Sequence, residues 1–329
     1  MDHIVKAFRF SEYGGPEVLR LQEVDLPAPA AGEIQIRHHA IGLNFIDIYH
    51  RRGVFAAKLP LPSGLGVEGV GEVLAVGSDV VGFQSGDRVA YVGGPPGAYT
   101  THRNLPAARA VKVPDGLHSE VIAATIFKGL TAEYLVHRCV PVSSGDAALF
   151  HAAAGGVGSL ACQWLRQIGA QVIGTVGGPE KVATARQNGC DAVIDYRSED
   201  FVARVRELTS GRGVRVVYDS VGADTFAGSL DCLAPRGTLV SFGESSGPVE
   251  PLAVSSLGAK GSLFITRPSI VHYTADPAEY RASAKRLFAA LENGTLKAGT
   301  ITRFALHDAA RAQVEMEERR TLGSVVLVP

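Results

Sequence analysis

A glycine-rich turn near the middle of the chain has the spacing of a phosphate-binding loop. The apolar run 147–151 leads into Ala153-x-Gly155-x-x-Gly158, an alanine variant of the G-x-G-x-x-G pattern. We expect Gly155 to let the backbone approach a pyrophosphate and Gly158 to let the next helix pack on the strand. The first N–H groups of that helix would bind the phosphate oxygens. The predicted phosphate-binding residues are Gly155, Gly156 and Val157.

The end of the following strand indicates which nicotinamide dinucleotide is bound. NAD sites usually carry an acidic residue about 20 residues beyond the turn, where it binds the ribose hydroxyls. Here the strand 171–176 ends in two glycines instead of an acid, and Lys181 follows at the start of a helix. Tyr196 ends the third strand nearby. A missing carboxylate and a local cation favour a 2′-phosphate, so we predict NADPH, bound through Gly177, Lys181 and Tyr196.

The composition is that of an ordinary globular chain. The 329 residues include 32 Lys and Arg against 33 Asp and Glu, a net charge of -1, which makes nucleic acid an unfavoured partner. No apolar run is long enough to span a bilayer, so no membrane association is expected. The first residues lack the pattern of a secretion signal, and the four cysteines form no CxxC pair. We therefore predict a cytoplasmic protein.

The elements that must position the turn follow two patterns. The first third carries short β-branched or alternating runs separated by Pro, Gly and Asp, which predicts an antiparallel, β-rich domain. From 147 to 242 strands alternate with helices, which predicts βαβ units and a parallel sheet. The C-terminal tail is too short for a domain of its own. We predict a β-rich catalytic domain at 1–124 and 268–329 and a dinucleotide-binding domain at 125–267.

In the order of several motifs, the chain resembles the medium-chain dehydrogenase/reductases. The resemblance is closest to their zinc-free quinone oxidoreductase branch, which includes zeta-crystallin. The resemblance covers essentially the whole chain. It implies an α/β protein with a GroES-like β-rich catalytic domain and a Rossmann domain with a doubly wound parallel sheet. The motifs are GGPEVL at 14–19, GLNFIDIY at 42–49, SGDRV at 85–89, HAAAGGVG at 151–158, VYDSVG at 217–222 and GTLVSFG at 237–243.

The resemblance also implies a site without metal. The zinc-dependent relatives hold a catalytic zinc with a Cys and a His, and these positions are Asn44 and Val67 in this chain, just before Glu68. Neither side chain is a useful zinc ligand, and residues 90–110 lack the cysteines of a structural zinc loop. Without a Lewis acid the substrate must accept hydride readily. Quinones and conjugated enones do so because the anion they form is delocalised.

By this resemblance, we expect three residues to take part in catalysis. Asn44 either hydrogen-bonds the cofactor or substrate oxygen or stabilises a turn. Tyr49 either donates a proton, forms an aromatic wall or packs in the core. Lys128 is either a cofactor contact or a surface charge. The cofactor contacts that the resemblance implies are Asn44, Phe45, Ile46, Asp47, Tyr49, Thr131, Tyr134, Ser220, Phe242, Gly243, Ser245, Phe264, Thr266 and Arg319. Because Arg320 is adjacent to Arg319, the sequence does not decide which of the two arginines contacts the cofactor.

The predicted function is NADPH-dependent reduction of a quinone by hydride transfer, without metal. One alternative is an NADPH-dependent enone or 2-enal reductase on the same scaffold. Another is a non-catalytic NADPH-binding protein, because relatives serve as lens crystallins or bind RNA. The apolar run 262–266 resembles the edge strand through which relatives pair, which predicts a homodimer. Phe55 stands where bacterial quinone reductases of this type often carry tyrosine, so quinone preference is expected to differ.

Overall fold

The structure is a computed structural model that describes residues 3–54, 58–318 and 320–329. Phe55 and Arg319, both singled out above, lie outside the described residues. The chain forms two compact units. The first comprises Met1–Phe127, Ala284–Glu292 and Ala298–Pro329, and the second comprises Lys128–Ser283 and Asn293–Lys297.

The second unit extends further along the chain than the sequence-based boundary at 267. Residues up to Ser283 belong to it. The physical reason lies at Tyr273, whose ring stacks on Tyr134 with centroids 4.3 Å apart. The backbone carbonyl of Tyr273 also accepts a hydrogen bond from Arg138 at 3.0 Å. These contacts hold the segment that follows the sheet against the second unit.

Sixteen strands are present among the described residues, and most are short, β-branched runs bounded by Gly, Pro or Asp. In chain order they are β1 (His3–Phe10), β2 (Arg20–Leu26), β3 (Glu33–Leu43), β4 (Ser63–Gly64), β5 (Glu68–Val76), β6 (Arg88–Val92), β7 (His102–Pro106), β8 (Ala110–Lys112), β9 (Ala147–Phe150), β10 (Gln171–Val176), β11 (Ala192–Asp195), β12 (Val214–Asp219), β13 (Leu233–Ser241), β14 (Phe264–Thr266), β15 (Ile301–Ala305) and β16 (Ser324–Val328).

Ten α-helices are found in the same residues, and none of them is both long and apolar enough to cross a membrane. The helix that leads into the second unit continues as a π-helical turn, Leu135–Cys139. The helices are α1 (Phe45–Arg52), α2 (Ser119–Tyr134), α3 (Gly156–Ile168), α4 (Val182–Gln187), α5 (Phe201–Leu208), α6 (Phe226–Cys232), α7 (Ser255–Ala259), α8 (Ile270–Tyr273), α9 (Pro277–Glu292) and α10 (Ala309–Glu317).

The first unit is β-rich, as predicted. One sheet has the strand order β2-β1-β4, and the other has the order β15-β16-β3-β5-β6-β8, with β7 paired to β3. All pairs are antiparallel except β15 with β16. The apolar residues of β3, such as Ile34 and Ile36, are fully buried in the core between these strands. Because β3 and β5 are antiparallel, the end of β3 at Leu43 lies beside the start of β5 at Glu68.

The second unit contains the predicted parallel sheet. Its strand order is β11-β10-β9-β12-β13-β14, and every pair is parallel. The order reverses beside β9, as in doubly wound folds, and ligands bind at the carboxyl ends of such strands. Apolar side chains of the central strands, including Leu149, Val217 and Leu239, are fully buried. The glycine turn follows β9, so it lies at that edge of the sheet.

Candidate active site

Asn44 stands at the junction between the long strand β3 and helix α1. It is the N-cap of α1 and forms a capping box with Asp47, whose carboxylate accepts the Asn44 N–H at 2.9 Å. Asp47 is fully buried and also accepts the Tyr99 hydroxyl at 3.0 Å. The pKa of Tyr99 is raised well above its usual value, mainly by burial and then by the charge of the Asp47 carboxylate. The phenol therefore keeps its proton and acts as a hydrogen-bond donor. The polar contacts therefore fix the backbone at Asn44.

Glu68 is a member of this site that the sequence analysis did not select. Its carboxylate is fully buried and accepts the Asn44 side-chain amide, Nδ2 to Oε1, at 2.5 Å. The other oxygen, Oε2, accepts the backbone N–H of Phe127 in α2 at 2.8 Å. Gly42 makes the space for it, since a Cβ atom there would lie 2.0 Å from Oε1. An acid within an otherwise apolar run, Val67-Glu68-Gly69-Val70, is the sequence signal that could have found it.

One face of α1 carries two aromatic rings beside Asn44. Phe45 and Tyr49 are four residues apart, and their ring centroids lie 6.4 Å apart. The Phe45 side chain is 46% exposed, while Ile46 and Tyr49 are half-buried. Exposed aromatic rings are suited to stacking on a planar ligand. Phe45 and Tyr49 thus lie together on a surface that a flat ring could contact, whereas Asp47, which was also predicted to contact the cofactor, is fully buried.

The two positions that hold zinc in the zinc-dependent relatives do not fit the metal in this chain. Val67 offers no ligand atom, and the Asn44 amide is committed to Glu68. Zinc in proteins is bound by thiolate, imidazole and carboxylate groups. Among the described residues no three His, Cys, Asp or Glu side chains are grouped so that they could hold a metal ion. The chemistry of the donor set therefore does not provide a zinc site here.

The glycine turn of the second unit joins β9 to the 13-residue helix α3. Gly155 is the N-cap, and it and Gly156 are exposed. A Cβ atom at Gly158 would lie 2.3 Å from the Ala152 carbonyl oxygen, so only glycine lets α3 approach the strand this closely. The first N–H groups of an α-helix have no acceptor within the helix, and the residues at this helix start are Gly156, Val157 and Gly158. This geometry suits a pyrophosphate group, in agreement with the sequence pattern.

Lys128 is buried against this same turn, and it is not a surface charge. The side chain is only 8% exposed. Its Cδ and Cε atoms lie 2.6 and 2.9 Å from the position that a Cβ atom would take at Gly156. The lysine stem therefore runs over the amino end of α3.

Two of the predicted 2′-phosphate residues, Gly177 and Tyr196, are adjacent in the structure. Gly177 follows β10, and a Cβ atom there would lie 3.0 Å from the Tyr196 hydroxyl, which follows β11. Lys181 ends the 3-10 turn Pro179–Lys181, and its ammonium is half exposed and 3.8 Å from the Glu180 carboxylate. No acid stands at the end of β10, as the sequence already showed.

The other predicted cofactor residues lie at the ends of neighbouring strands or in α2. Ser220 follows β12, and its carbonyl accepts the Ser245 N–H at 3.1 Å. Gly243 packs on Ser220, where a Cβ atom would meet the Ser220 oxygen at 2.8 Å. Tyr134 is covered by the ring of Tyr273, and burial raises the pKa of Tyr134. The remaining positions are Phe242 after β13, Thr266 at the end of β14, Thr131, which is buried in α2, and Phe264, which is 61% exposed on β14.

Four buried polar side chains of the second unit form a continuous chain of hydrogen bonds. The two nitrogens of His151 contact the hydroxyls of Thr175 at 2.8 Å and Ser229 at 2.9 Å. Ser229 in turn donates to Asp219 at 2.8 Å. Because a carboxylate only accepts, the chain of donors runs from Thr175 through His151 and Ser229 to Asp219. Burial lowers the pKa of His151, so the imidazole is neutral and structural.

Comparisons with known proteins agree with this architecture. Sequence profiles described as Alcohol dehydrogenase GroES-like domain and Zinc-binding dehydrogenase match residues 30–115 and 156–287. A quinone oxidoreductase of Pseudomonas aeruginosa is 50% identical over 326 residues, 99% of this chain and 100% of that relative. The 2-haloacrylate reductase of a Burkholderia species is 43% identical over 334 residues, 99% of each chain.

A solved structure is also similar over its full length. The crystal structure of Escherichia coli quinone oxidoreductase complexed with NADPH has a TM-score of 0.94 and 44% identity, covering 98% of this chain and 100% of that one. A GroES-like unit followed by a Rossmann unit with a phosphate-binding turn defines a medium-chain dehydrogenase/reductase. Within that class, the chain belongs to the quinone oxidoreductase family.

Proposed function

We propose that the chain catalyses the NADPH-dependent reduction of quinones by hydride transfer, without a metal ion. The observation that carries this proposal is the glycine turn that joins β9 to α3, where Gly155 and Gly156 are exposed at the amino end of the helix. The amino end of a helix favours an anion such as a pyrophosphate. The full-length similarity to quinone oxidoreductases supplies the acceptor class.

NADPH is favoured over NADH by the end of β10. Gly177 stands where NAD-binding proteins usually carry an acidic residue. No carboxylate is therefore present there to bind the ribose hydroxyls of NADH or to repel the 2′-phosphate of NADPH. The Tyr196 hydroxyl lies close to Gly177, and Lys181 is near enough along the chain to face the same group. Arg319 is proposed as a further cation from its place in the sequence. When bound, NADPH supplies the hydride, and these residues only hold its adenosine end.

The residues around Asn44 are proposed to hold the acceptor. The exposed ring of Phe45, with Tyr49 beside it, provides a surface on which a planar quinone can stack. Asn44 donates an N–H to the oxygen on which negative charge develops. The quinone gains a hydride at the ring system and a proton at oxygen, and Tyr49 or water gives that proton. Because no zinc ligands are present at Asn44 and Val67, hydrogen bonds and acceptor delocalisation must stabilise the anion.

A second acceptor class is supported by one specific comparison. The Burkholderia relative at 43% identity is named a 2-haloacrylate reductase, and a haloacrylate has a carbon–carbon double bond conjugated to a carboxylate. The same site features suit such a substrate, since hydride addition again gives a delocalised anion. Reduction of conjugated enones or 2-enals is therefore the alternative activity. A non-catalytic NADPH-binding role is excluded if either acceptor turns over.

The assembly and location that we propose follow from the edge strand and the cysteines. Strand β14 pairs with β13 on one side, and its Phe264 is 61% exposed. Pairing of two β14 strands would bury this ring and extend the sheet, which supports a homodimer. All four cysteines are free thiols, which is consistent with a reducing cytoplasm.

The experiment that tests the function is a steady-state screen of purified protein with NADPH. The acceptors are 1,4-benzoquinone, a naphthoquinone, a 2-enal, a 2-haloacrylate and a saturated aldehyde, with ethanol and NADP+ in the reverse direction. We expect quinones to have the highest kcat/KM and the saturated aldehyde and ethanol the lowest. Ethanol oxidation that is faster than the reduction of every quinone would contradict the proposal, and a 2-enal that exceeds every quinone would favour the alternative.

A further inference from the structure

We propose that Glu68 is a positioning residue, which holds the Asn44 amide so that one of its N–H groups is offered to the oxygen of the acceptor. The inference rests on the proposed function, because it assigns how that site orients its donor. Glu68 does not act on the substrate itself. It acts through Asn44, which it contacts directly.

The hydrogen-bonding capacities fix the orientation of the Asn44 amide. A carboxylate accepts and cannot donate, so Glu68 Oε1 must face the Nδ2 side of Asn44, at 2.5 Å. The amide oxygen then faces the first turn of α1, where Asn44 and Asp47 form the capping box. Nδ2 has two protons, and Glu68 uses one of them. In the described part of the chain no other contact of Nδ2 is present, so the second proton is available for a ligand.

The contacts of Glu68 explain how a carboxylate can be buried in the core of the first unit. Burying a carboxylate is costly unless hydrogen bonds satisfy it. Here both oxygens are satisfied by donors, Asn44 Nδ2 and the Phe127 N–H. The space that the carboxylate occupies exists only because residue 42 is glycine. A neutral apolar residue would fill the same volume without that cost, but it could not orient Asn44.

The same two places hold metal ligands in the zinc-dependent relatives, by the sequence resemblance. In this chain they are Asn44 and Val67, which precedes Glu68. Val67 offers no ligand atom, and the Asn44 amide is held by the Glu68 carboxylate at 2.5 Å. The donor offered to the acceptor is then an amide N–H in place of a metal ion.

The second oxygen of Glu68 extends the effect to α2. Phe127 donates its backbone N–H to Oε2, and Lys128 is the next residue along the helix. One carboxylate thus contacts both the amide of Asn44 and the backbone of α2 at Phe127. The residues proposed to hold the adenosine end of NADPH, Lys181 and Tyr196, are on other elements, so a change at Glu68 should disturb the chemical step more than the binding of that end.

The first test is Glu68→Gln, with Glu72→Gln as its matched control. A glutamine side chain at position 68 would face two donors with only one oxygen, so its own NH2 must meet either Asn44 or the Phe127 N–H. Glu72 is on the same strand, but it is half-exposed and pairs with Arg37 at 2.7 Å. We expect kcat with benzoquinone to fall about 10- to 100-fold in Glu68→Gln, the range for loss of one charge-assisted hydrogen bond, and to stay within about twofold in the control.

The KM for NADPH should change by no more than about twofold in Glu68→Gln, because the adenosine contacts are elsewhere. The primary isotope effect on kcat, measured with NADPH deuterated at the transferred position, should rise as hydride transfer becomes slower. A merely structural role would lower Tm without enlarging the isotope effect.

The decisive test reverses the polarity of the pair with Asn44→Asp and Glu68→Gln together. The carboxylate introduced at position 44 accepts from the amide introduced at position 68 and still caps α1. The amide oxygen at position 68 is then left for the Phe127 N–H, so every contact is satisfied and the total charge is unchanged. We expect Tm to return to within a few degrees of the wild-type value. Since the carboxylate at position 44 has no N–H to donate, kcat should remain low.

The outcomes separate this inference from the proposed function. If wild-type protein does not reduce any quinone with NADPH, the proposed function fails. If wild type is active and Glu68→Gln turns over like Glu72→Gln, the positioning role is wrong. It is also wrong if the double variant regains kcat together with Tm. Should Glu68→Gln fail to fold, the double variant at wild-type Tm carries the same test alone.

Discussion

Replacing Lys181 with alanine should weaken NADPH binding and leave NADH binding unchanged. The Lys181 ammonium is half exposed and lies 3.8 Å from the Glu180 carboxylate, which partly offsets its charge. A charge-assisted hydrogen bond contributes about 1.5–3 kcal/mol when shielded, and exposure reduces this to about 1–2 kcal/mol. We therefore expect the Kd for NADPH to rise about 5- to 30-fold. The 2′-phosphate is far from the transferred hydride, so kcat should change little.

The measurement is a fluorescence titration of one preparation with both cofactors at fixed ionic strength. The matched variant is Glu180→Gln, which removes the negative charge beside Lys181. It should tighten NADPH binding about twofold, opposite in sign to Lys181→Ala, and leave NADH unaffected. Raising the salt concentration should shrink both effects.

Equal losses of NADPH and NADH affinity in Lys181→Ala would show that Lys181 does not face the 2′-phosphate. A wild-type preference for NADH would refute the whole interpretation of the end of β10, including the roles of Gly177 and Tyr196.

Three further predictions concern metal, assembly and pH. Exhaustive chelation should leave Tm and quinone turnover unchanged, because Asn44 and Val67 do not bind zinc; stoichiometric zinc whose removal abolishes activity would contradict this. Phe264→Pro removes a backbone donor from β14 and should shift the protein towards monomer in analytical ultracentrifugation, whereas Phe264→Ser keeps the donor; a wild-type monomer at micromolar concentration would refute pairing through β14. Burial lowers the pKa of His38 to about 3, so the neutral ring stabilises the fold above pH 6.5, and this contribution is lost as pH falls from about 6.5 towards 3. By about pH 5 the loss should be about 2 kcal/mol, and denaturant titrations should show a correspondingly weaker pH dependence in His38→Gln than in wild type.

The second unit could be predicted almost completely from the sequence. Its strands and helices alternate at short spacing, and each strand is a continuous apolar run because both faces are buried. The strand expected at 171–176 has the observed bounds. The phosphate-binding turn was recognisable for the same reason, since strand, glycines and helix are contiguous. Local patterns of this kind do not depend on contacts far along the chain.

The first unit was less predictable because its partners are distant in sequence. Strand β7 is not predicted from the sequence, and it is a short edge strand whose partner, β3, lies far away along the chain. Helix α1 was also not assigned, although its motif was noted. It is only eight residues long, and its capping box and the buried contacts of Arg51 with Gln313 and Glu317 stabilise it. Such a short helix depends on tertiary contacts that no local pattern reveals.

Lys128 and Glu68 show what the sequence leaves open at the site itself. Lys128 could equally have been a surface charge, and only the packing of its stem on Gly156 distinguishes the two. In the sequence, Glu68 stands only as the residue that follows Val67. Its importance depends on a contact across 24 residues, to Asn44, and another across 59 residues, to Phe127. Residue types therefore predict which chemistry is available, whereas orientation of the donors is set by long-range hydrogen bonds. Where no metal polarises the substrate, such oriented donors must stabilise the charge that develops on it. A change of acceptor within this family should thus be sought at pairs such as Asn44 and Glu68, and less at the glycine turn that every acceptor shares.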